Sequence, residues 1–295
     1  WISPQIITTN RLDASGYGEA RDLGQKVIAA RGIGTSATHM EWFYGPKGWK
    51  FSEIGCRPPG VGVWALYSAA NDFDLSREAV EAFHERLLDE NDLRGAPLSM
   101  VYMQVTRGVA PRTHYFPKDP VAPTVYAFAK AISRPDHDRW LQGFEAVTVP
   151  DRRWARCDIK STALLPNVLA MQAAVDHGVT DALMVRDGVA IEGGHANFFA
   201  VFGDTLATFP ATNHILHGIT RAYVLEIARE LGFHVEERAV QVEELQRATE
   251  TFFTGTTAEV RPTVRIDGRD VGDGAGGPVA RRLYAAFLAG VGQRF

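Results

Sequence analysis

Apolar residues recur along this chain with two periods, and the switching between them outlines a mixed α/β protein. In SREAVEAFHERLLDE (76–90), Ala79, Val80, Phe83, Leu87 and Leu88 fall three and four apart, which predicts a helix with Ser76 as its N-cap. Similar patterning predicts helices over 164–178, closed by Gly178, over 219–232, closed by Gly232, and over 278–291, opened by Pro278. In 219–232 the expected apolar face is Ile219, Tyr223, Ile227 and Leu231. MVYMQVTRG (100–108) and TVYAFAKAI (124–132) read as strands, and 182–208 reads as several short strands with Asp-Gly and Gly-Asp turns. TFFTGTTAEVRP (251–262) reads as a strand, a glycine loop and a helix-like turn.

The N-terminal part is patterned differently. YGEARDLGQKVIAA (17–30) suits a short helix ended by Gly32 and Gly34. THMEWF (38–43), the turn YGPKG (44–48) and WKFSEIG (49–55) read as a β-hairpin. CRPPGVGVW (56–64) is loop chemistry, and ALYSAANDF (65–73) suits a helix. RTHYFPKDPVAP (112–123) is a proline-rich connection and a candidate domain boundary. No internal repeat or low-complexity run occurs.

Composition narrows the class rather than the fold. The 295 residues are 45% hydrophobic and 22% charged, enough apolar material for a sizeable core. A formal net charge of −4 favours neither nucleic acid nor an anionic membrane as a partner. No apolar run approaches the roughly 20 residues that span a bilayer. Cys56 and Cys157 cannot build a disulfide framework, so a reducing cytoplasm is expected. The chain opens on Trp1 without a signal-peptide pattern, and its first residues read as the interior of a domain, as if the sequence began inside a gene.

Four tracts carry candidate chemistry. In RWARCDIKS (153–161), Lys160 reads as a lysine at a strand end before a turn into a helix. At the floor of a cleft, desolvation would make its amine nucleophilic toward an aldehyde; the plain alternative is a solvated surface lysine. In AIEGGHANFFAV (190–201), Glu192 either aims a carboxylate into the same cleft or is an ordinary hairpin-turn glutamate. In LHGIT (216–220), Gly218 leads into a helix whose first amides, Ile219 and Thr220, form a phosphate seat. TGTTAEV (254–260) is a second Gly/Thr loop with hydroxyl and amide donors.

Taken in order, RWARCDIKSTALLPNVLAMQAA, IEGGHANFF, ATNHILHGITR and FFTGTTAEVRPTVRIDG closely resemble the fold type IV (class IV) pyridoxal-phosphate (PLP) aminotransferases. Among these the likeness is greatest to the D-amino-acid (D-alanine) transaminases, over about residues 75–295. The resemblance implies an α/β (α+β) fold in which Lys160 holds the cofactor as a Schiff base and moves a proton between substrate Cα and cofactor C4′. It implies that Glu192 pairs with the pyridine nitrogen and that Gly218, Ile219, Thr220, Thr256 and Thr257 hold the phosphate. It also implies a homodimer. QVTRGVAPRTHYFP (104–117) resembles the family's substrate-carboxylate trap, carried by Arg112 and His114. The plain alternative for Arg112 is a surface arginine in a proline-rich loop.

The chain departs from the family in places. Gly194, His195 and Ala196 stand where serines are common, and His195 either hydrogen-bonds near the cofactor ring or fills space. Gly255 also replaces a common serine. The family's R-G-x-x-F/L-G-D/E-G and H-x-x-R-L tracts, the second bearing a phosphate-binding arginine, do not occur in residues 1–75, so the small domain is expected to be incomplete.

Residues 15–74 instead resemble the C-terminal part of an ATP-grasp domain, in which acidic residues on adjacent strands hold Mg²⁺. Glu41 and Glu53 match those positions, Arg57 matches a phosphate-side arginine, and Gly55 stands where many members carry an asparagine ligand. The plain alternative for both glutamates is a solvated hairpin position. Without the lysine-bearing strands and glycine-rich loop of such a domain, the fragment is expected to hold no Mg-ATP. The expected domains are an ATP-grasp-like fragment (1–74), a remnant of the aminotransferase small domain (75–121) and a large PLP-binding domain (122–295). The first two meet near Asp74–Leu75 without a linker, as in a spliced reading frame. Three functions stand open: transamination between a D-amino acid and a 2-oxo acid, an ATP-grasp carboxylate–amine ligase, and a catalytically inactive hybrid.

Overall fold

The computed structural model describes residues 39–45, 48–55, 75–119, 121–133 and 136–294 together with Lys26, and within those ranges side-chain surroundings for Lys26 and from residue 83 to 291. The chain divides into two compact units, Trp1–Ser133 and Arg134–Phe295.

In the first unit, β1 (His39–Gly45) and β2 (Gly48–Gly55) form the antiparallel hairpin expected from the aromatic-rich alternation, with Glu41 opposite Glu53. Helix α1 spans Leu75–Glu90, so Ser76 lies within it rather than at its cap, and Phe83 on the expected apolar stripe is exposed. β3 (Ser99–Thr106) pairs along its whole length with β4 (Thr124–Ala131). That pairing keeps 124–131 with the first unit, which runs to Ser133. The helices expected over 17–30 and 65–73, the loop 56–64 and Arg57 lie outside the described residues, apart from Lys26, which is helical.

The second unit runs α2 (His137–Gln142), β5 (Phe144–Pro150), α3 (Leu165–Asp176), β6 (Asp181–Arg186), β7 (Val189–Gly193), β8 (Asn197–Phe202), β9 (Thr205–Thr208) and α4 (Ile219–Glu230). It continues with β10 (His234–Glu237), β11 (Val240–Gln241), a 3₁₀ turn (Val242–Arg247), β12 (Glu250–Gly255), β13 (Glu259–Ile266), β14 (Arg269–Asp270) and α5 (Pro278–Arg294). These strands form one sheet in the order β10-β9-β8-β12-β13-β5-β6-β7-β11, with β14 beside β13. A further rung between Glu192 and Asn197 joins β7 to β8 and closes β8-β12-β13-β5-β6-β7 into a ring.

Strands β8 and β12 are buried on both faces, which is why they read as unbroken apolar runs. Phe199, Val201 and Phe252 pack with Val224 and Leu225 of α4 and Leu283 and Phe287 of α5. Phe198, Ala200 and Phe253 pack on the other side with Leu183, Ala190 and Val240. Each such phenylalanine contributes about 1.5–3 kcal/mol by leaving water. Helix α3 differs: it buries only the small Ala170 and Ala174, against Ala182 and Met184 of β6, and leaves Leu165, Val168, Leu169 and Val175 exposed.

In the second unit two expectations are corrected. The segment after Gly255 is no helical turn; β12 and β13 form a hairpin in which Gly255 pairs with Glu259. The buried face of α4 is Arg221, Val224, Leu225, Ile227 and Ala228, while Ile219 is 86% exposed, because the sheet and α5 meet the helix through the Val224–Leu225–Ala228 stripe. Strand β5, which no strong alternation marks, runs parallel to both β13 and β6. Gly178 does close α3: at φ 71° it donates to the Val175 carbonyl at 2.9 Å, and Val179 donates to that of Ala174 at 3.0 Å.

Helix α5 begins on a buried carboxylate. Glu250 accepts from the amides of Val279 at 2.9 Å and Ala280 at 2.8 Å, and a Cβ at Gly277 would fall 2.1 Å from its carboxyl carbon. Glu250→Ala removes two charge-assisted hydrogen bonds and is expected to destabilise the protein by about 2–3 kcal/mol in chemical denaturation. A loss below about 0.5 kcal/mol would mean the carboxylate does not hold the helix end.

Candidate active site

Glu192 lies near the end of β7, which is paired on both sides, and the residue as a whole is 4% exposed. Three groups donate to it. Arg153 Nη1 reaches Oε1, Asn197 Nδ2 reaches Oε2 at 2.9 Å, and the Leu216 amide faces both oxygens at 3.3 Å. Burial is the largest influence on this group and pushes its carboxyl from 4.5 up to about 7, against the opposing pull of Arg153 and the Leu216 amide.

Arg153 is itself held from behind. Its Nε and Nη2 donate to the two oxygens of Asp151 at 2.9 and 3.0 Å, and Nη2 also donates to the His214 carbonyl at 3.2 Å. Asp151 accepts in addition from Arg186 Nη2 at 2.9 Å, and Arg186 Nη1 meets His214 Nδ1 at 2.9 Å. Burial opposes the Arg153 charge, but Asp151, with Glu192, outweighs it and holds the guanidinium more firmly charged than usual. Burial likewise opposes the Asp151 charge, yet Arg153, ahead of Arg186, keeps its carboxyl below the ordinary range. The Arg153–Glu192 pair is thus unequal, because Arg153 leans on two carboxylates while Glu192 is sealed from water with one cation.

Asn197 links this carboxylate to the expected phosphate seat. Its Nδ2 also donates to the Leu216 carbonyl at 2.9 Å, and a Cβ at Gly218 would fall 2.2 Å from its Oδ1. Glycine at 218 is therefore a requirement of close approach. Gly218 is the N-cap of α4, and no side chain caps that helix, so the amides of Ile219 and Thr220 stay available to an anion.

Lys160 does not lie at a strand end on a buried floor; it is exposed in the loop between β5 and α3. That loop is stitched to the segment preceding α4, with Cys157 N donating to Asn213 O at 2.8 Å and Asn213 Nδ2 to Ala155 O at 2.6 Å. Thr254 pairs with Asn197 across β12 and β8, and a Cβ at Gly255 would lie 3.7 Å from that of Ala196, so the exposed Thr256 and Thr257 follow beside the β7–β8 turn. His195, in that turn, is exposed rather than packed as core.

The second unit therefore groups Glu192, Gly218, Ile219 and Thr220 through Asn197, with the Lys160 loop fastened alongside. Sequence reasoning missed Asn197, Asp151, Arg186 and His214, and assigned Arg153 no role although it opens the Lys160 tract. In the first unit Arg112 and His114 are exposed on the β3–β4 connection, where Arg107 stacks over Phe116 at 4.0 Å. The side chains of Glu41 and Glu53 lie outside the described residues.

A raised acid favours folding below its unfolded value and loses that contribution as pH rises through its folded value. The apoprotein should thus lose stability on the order of 3 kcal/mol between about pH 4.5 and pH 7–8, relative to Glu192→Gln. Thermal melts of both proteins across that range check this, and parallel curves would refute it.

Comparison with known proteins places these features in a family. Residues 66–266 match the model of amino-transferase class IV. The D-alanine aminotransferase of Staphylococcus haemolyticus is 42% identical over 210 residues, 71% of this chain and 73% of that protein. The D-alanine aminotransferase of Bacillus licheniformis is 40% identical over 73% of this chain and 75% of that protein. Among solved structures, the branched-chain amino acid aminotransferase of Escherichia coli superimposes with a TM-score of 0.64 at 26% identity, covering 75% of each chain. That of Thermobaculum terrenum in its PLP form gives 0.62 at 27% identity, covering 75% of this chain and 73% of that one. The carboxylate, the glycine before α4 and the stitched lysine loop are thus found in a chain that belongs to the class IV aminotransferase family.

Proposed function

We propose that this chain is a PLP-dependent aminotransferase that moves an amino group between a D-amino acid, such as D-alanine, and a 2-oxo acid. The observation that carries the reading is the joining, through Asn197, of a water-excluded carboxylate to an uncapped helix N-terminus. That pairing fits PLP. The amides of Ile219 and Thr220 offer donors to its phosphate, with Thr256 and Thr257 on the neighbouring turn, and Glu192 offers a partner to a protonated ring nitrogen. When bound, the cofactor supplies the aldehyde and the electron-withdrawing ring that transamination needs.

The chain's own residues do the remaining work in this reading. The Lys160 amine takes a proton from the substrate Cα and delivers it at cofactor C4′. Arg112, assisted by His114, binds the substrate carboxylate, for which a planar guanidinium is suited. The D-amino-acid preference is supported by relatives at 38–42% identity that bear the name D-alanine aminotransferase.

The purified chain with added PLP is expected to show a visible absorption band and to convert D-alanine and a 2-oxo acid to pyruvate and a D-amino acid. Lys160→Ala should abolish the band and lower turnover at least about 10³-fold. No band in the wild type, an unchanged band in the variant, or equal turnover of L-alanine would each count against the reading.

A homodimer belongs to the same proposal and is supported by α3, whose Leu165, Val168, Leu169 and Val175 are 69, 58, 56 and 65% exposed. Sedimentation is expected to give a dimer that Leu169→Glu converts to monomer; a monomeric wild type would remove the claim.

A further inference from the structure

We propose that Arg153 is a positioning residue, which orients the Glu192 carboxylate and stabilises its charged form, while Asp151, Arg186 and His214 fix Arg153 itself. The inference deepens the transaminase reading and rests on it for what Glu192 does. Its basis is geometric. Arg153 is the one cation that contacts Glu192 among the described residues, and its side chain is nearly as sealed as its partner's, at 6% exposure for each. A lone guanidinium at that depth would be free to turn. Here the fork is filled on its far edge by Asp151, which presents both oxygens, so Nη1 is the nitrogen left to face Glu192.

Asp151 is in turn locked by Arg186, and Arg186 by the His214 ring. These groups sit on the β5–α3 loop, the end of β6 and the segment before α4, so the arrangement is specified from three parts of the chain at once. Around Glu192 the other charged or titratable groups are Asp151, which opposes its ionisation, and Cys157, whose thiol burial pushes up. Asn197 and the Leu216 amide are neutral donors. Asn197 and Arg153 thus hold one carboxylate oxygen each and together set where the carboxylate points, and Arg153 supplies the only adjacent positive charge among the described residues. A carboxylate with no cation at this depth would keep its proton and could not counter a positive ring nitrogen.

The test reads the apoprotein, so it is separate from the visible-band test of the transaminase reading, and either can fail alone. In thermal melts across pH, the Glu192-dependent step is isolated by subtracting the melts of Glu192→Gln. Arg153→Met is expected to move that step upward by about one pH unit or more, the usual effect of an adjacent opposite charge. The double variant Arg153→Met/Glu192→Gln should show no step. Arg153→Lys, which keeps the charge but not the fork, should return the step most of the way to its wild-type position. Should Arg153→Met fail to fold, Arg153→Gln, neutral yet able to hydrogen-bond, makes the same test. A purely structural role would lower the melting temperature equally at every pH; that result, or a step left in place, overturns the proposal.

Discussion

The second unit turns on a carboxylate kept where water cannot reach it. Glu192 forms the rung that closes the ring of strands, and it is also the acid proposed to face the cofactor ring. Burying such a group costs several kcal/mol unless hydrogen bonds and an opposite charge replace its hydration. Arg153, Asn197 and the Leu216 amide make that replacement, and each arrives from a different segment. Closing the ring and placing this carboxylate therefore depend on the same β7–β8 rung, and a register slip there would lose both.

The apolar framework is arranged to make that point rigid. Strands β8 and β12 are clamped between two hydrophobic layers, so the positions of Asn197 and Thr254 are set by packing on both faces. Phe199 and Phe252 stack across these strands at 4.9 Å, and Trp140 stacks on Tyr284 at 4.5 Å while donating to the Val260 carbonyl. The α4 N-terminus is brought against Asn197 only because residue 218 has no side chain. Packed strands thus hold the carboxylate, and a glycine lets the uncapped helix end approach it.

The groups proposed to meet ligands contrast with this interior. Lys160, His195, Thr256 and Thr257 all lie on exposed loops or turns, and the Lys160 loop is fastened to the groups behind it. For Lys160 the fastening is explicit, through Cys157 and Asn213 and through the Arg153–Asp151–Arg186 ion pairs. Reactive groups on loops anchored by a stiff scaffold can reach a ligand without carrying the cost of burial themselves. The large apolar side chains that α3 turns outward follow a different logic, since the helix meets β6 through Ala170 and Ala174, with Met171 packed beside them.

By itself the sequence determined the mixed α/β class, the hairpin around 39–55, the helices near 75–90, 165–176, 219–230 and 278–294, and the ordered motifs around Lys160, Glu192, Gly218 and Thr256. These are local matters of periodicity, capping and motif order, which neighbouring residues carry among themselves. Only the tertiary structure decided that 256–258 turns a hairpin, that α4 buries Val224 and Leu225 rather than Ile219, and that Phe83 and the large residues of α3 face outward. It alone brought out Asn197, Asp151, Arg186 and His214, and it moved Lys160 from an expected buried floor to an exposed loop. The reason is physical: which side of an amphipathic segment is covered, and which charges meet, depends on partners far away in the chain. A periodic pattern records that a face exists, while the identity of what packs against it is fixed only when the sheet closes.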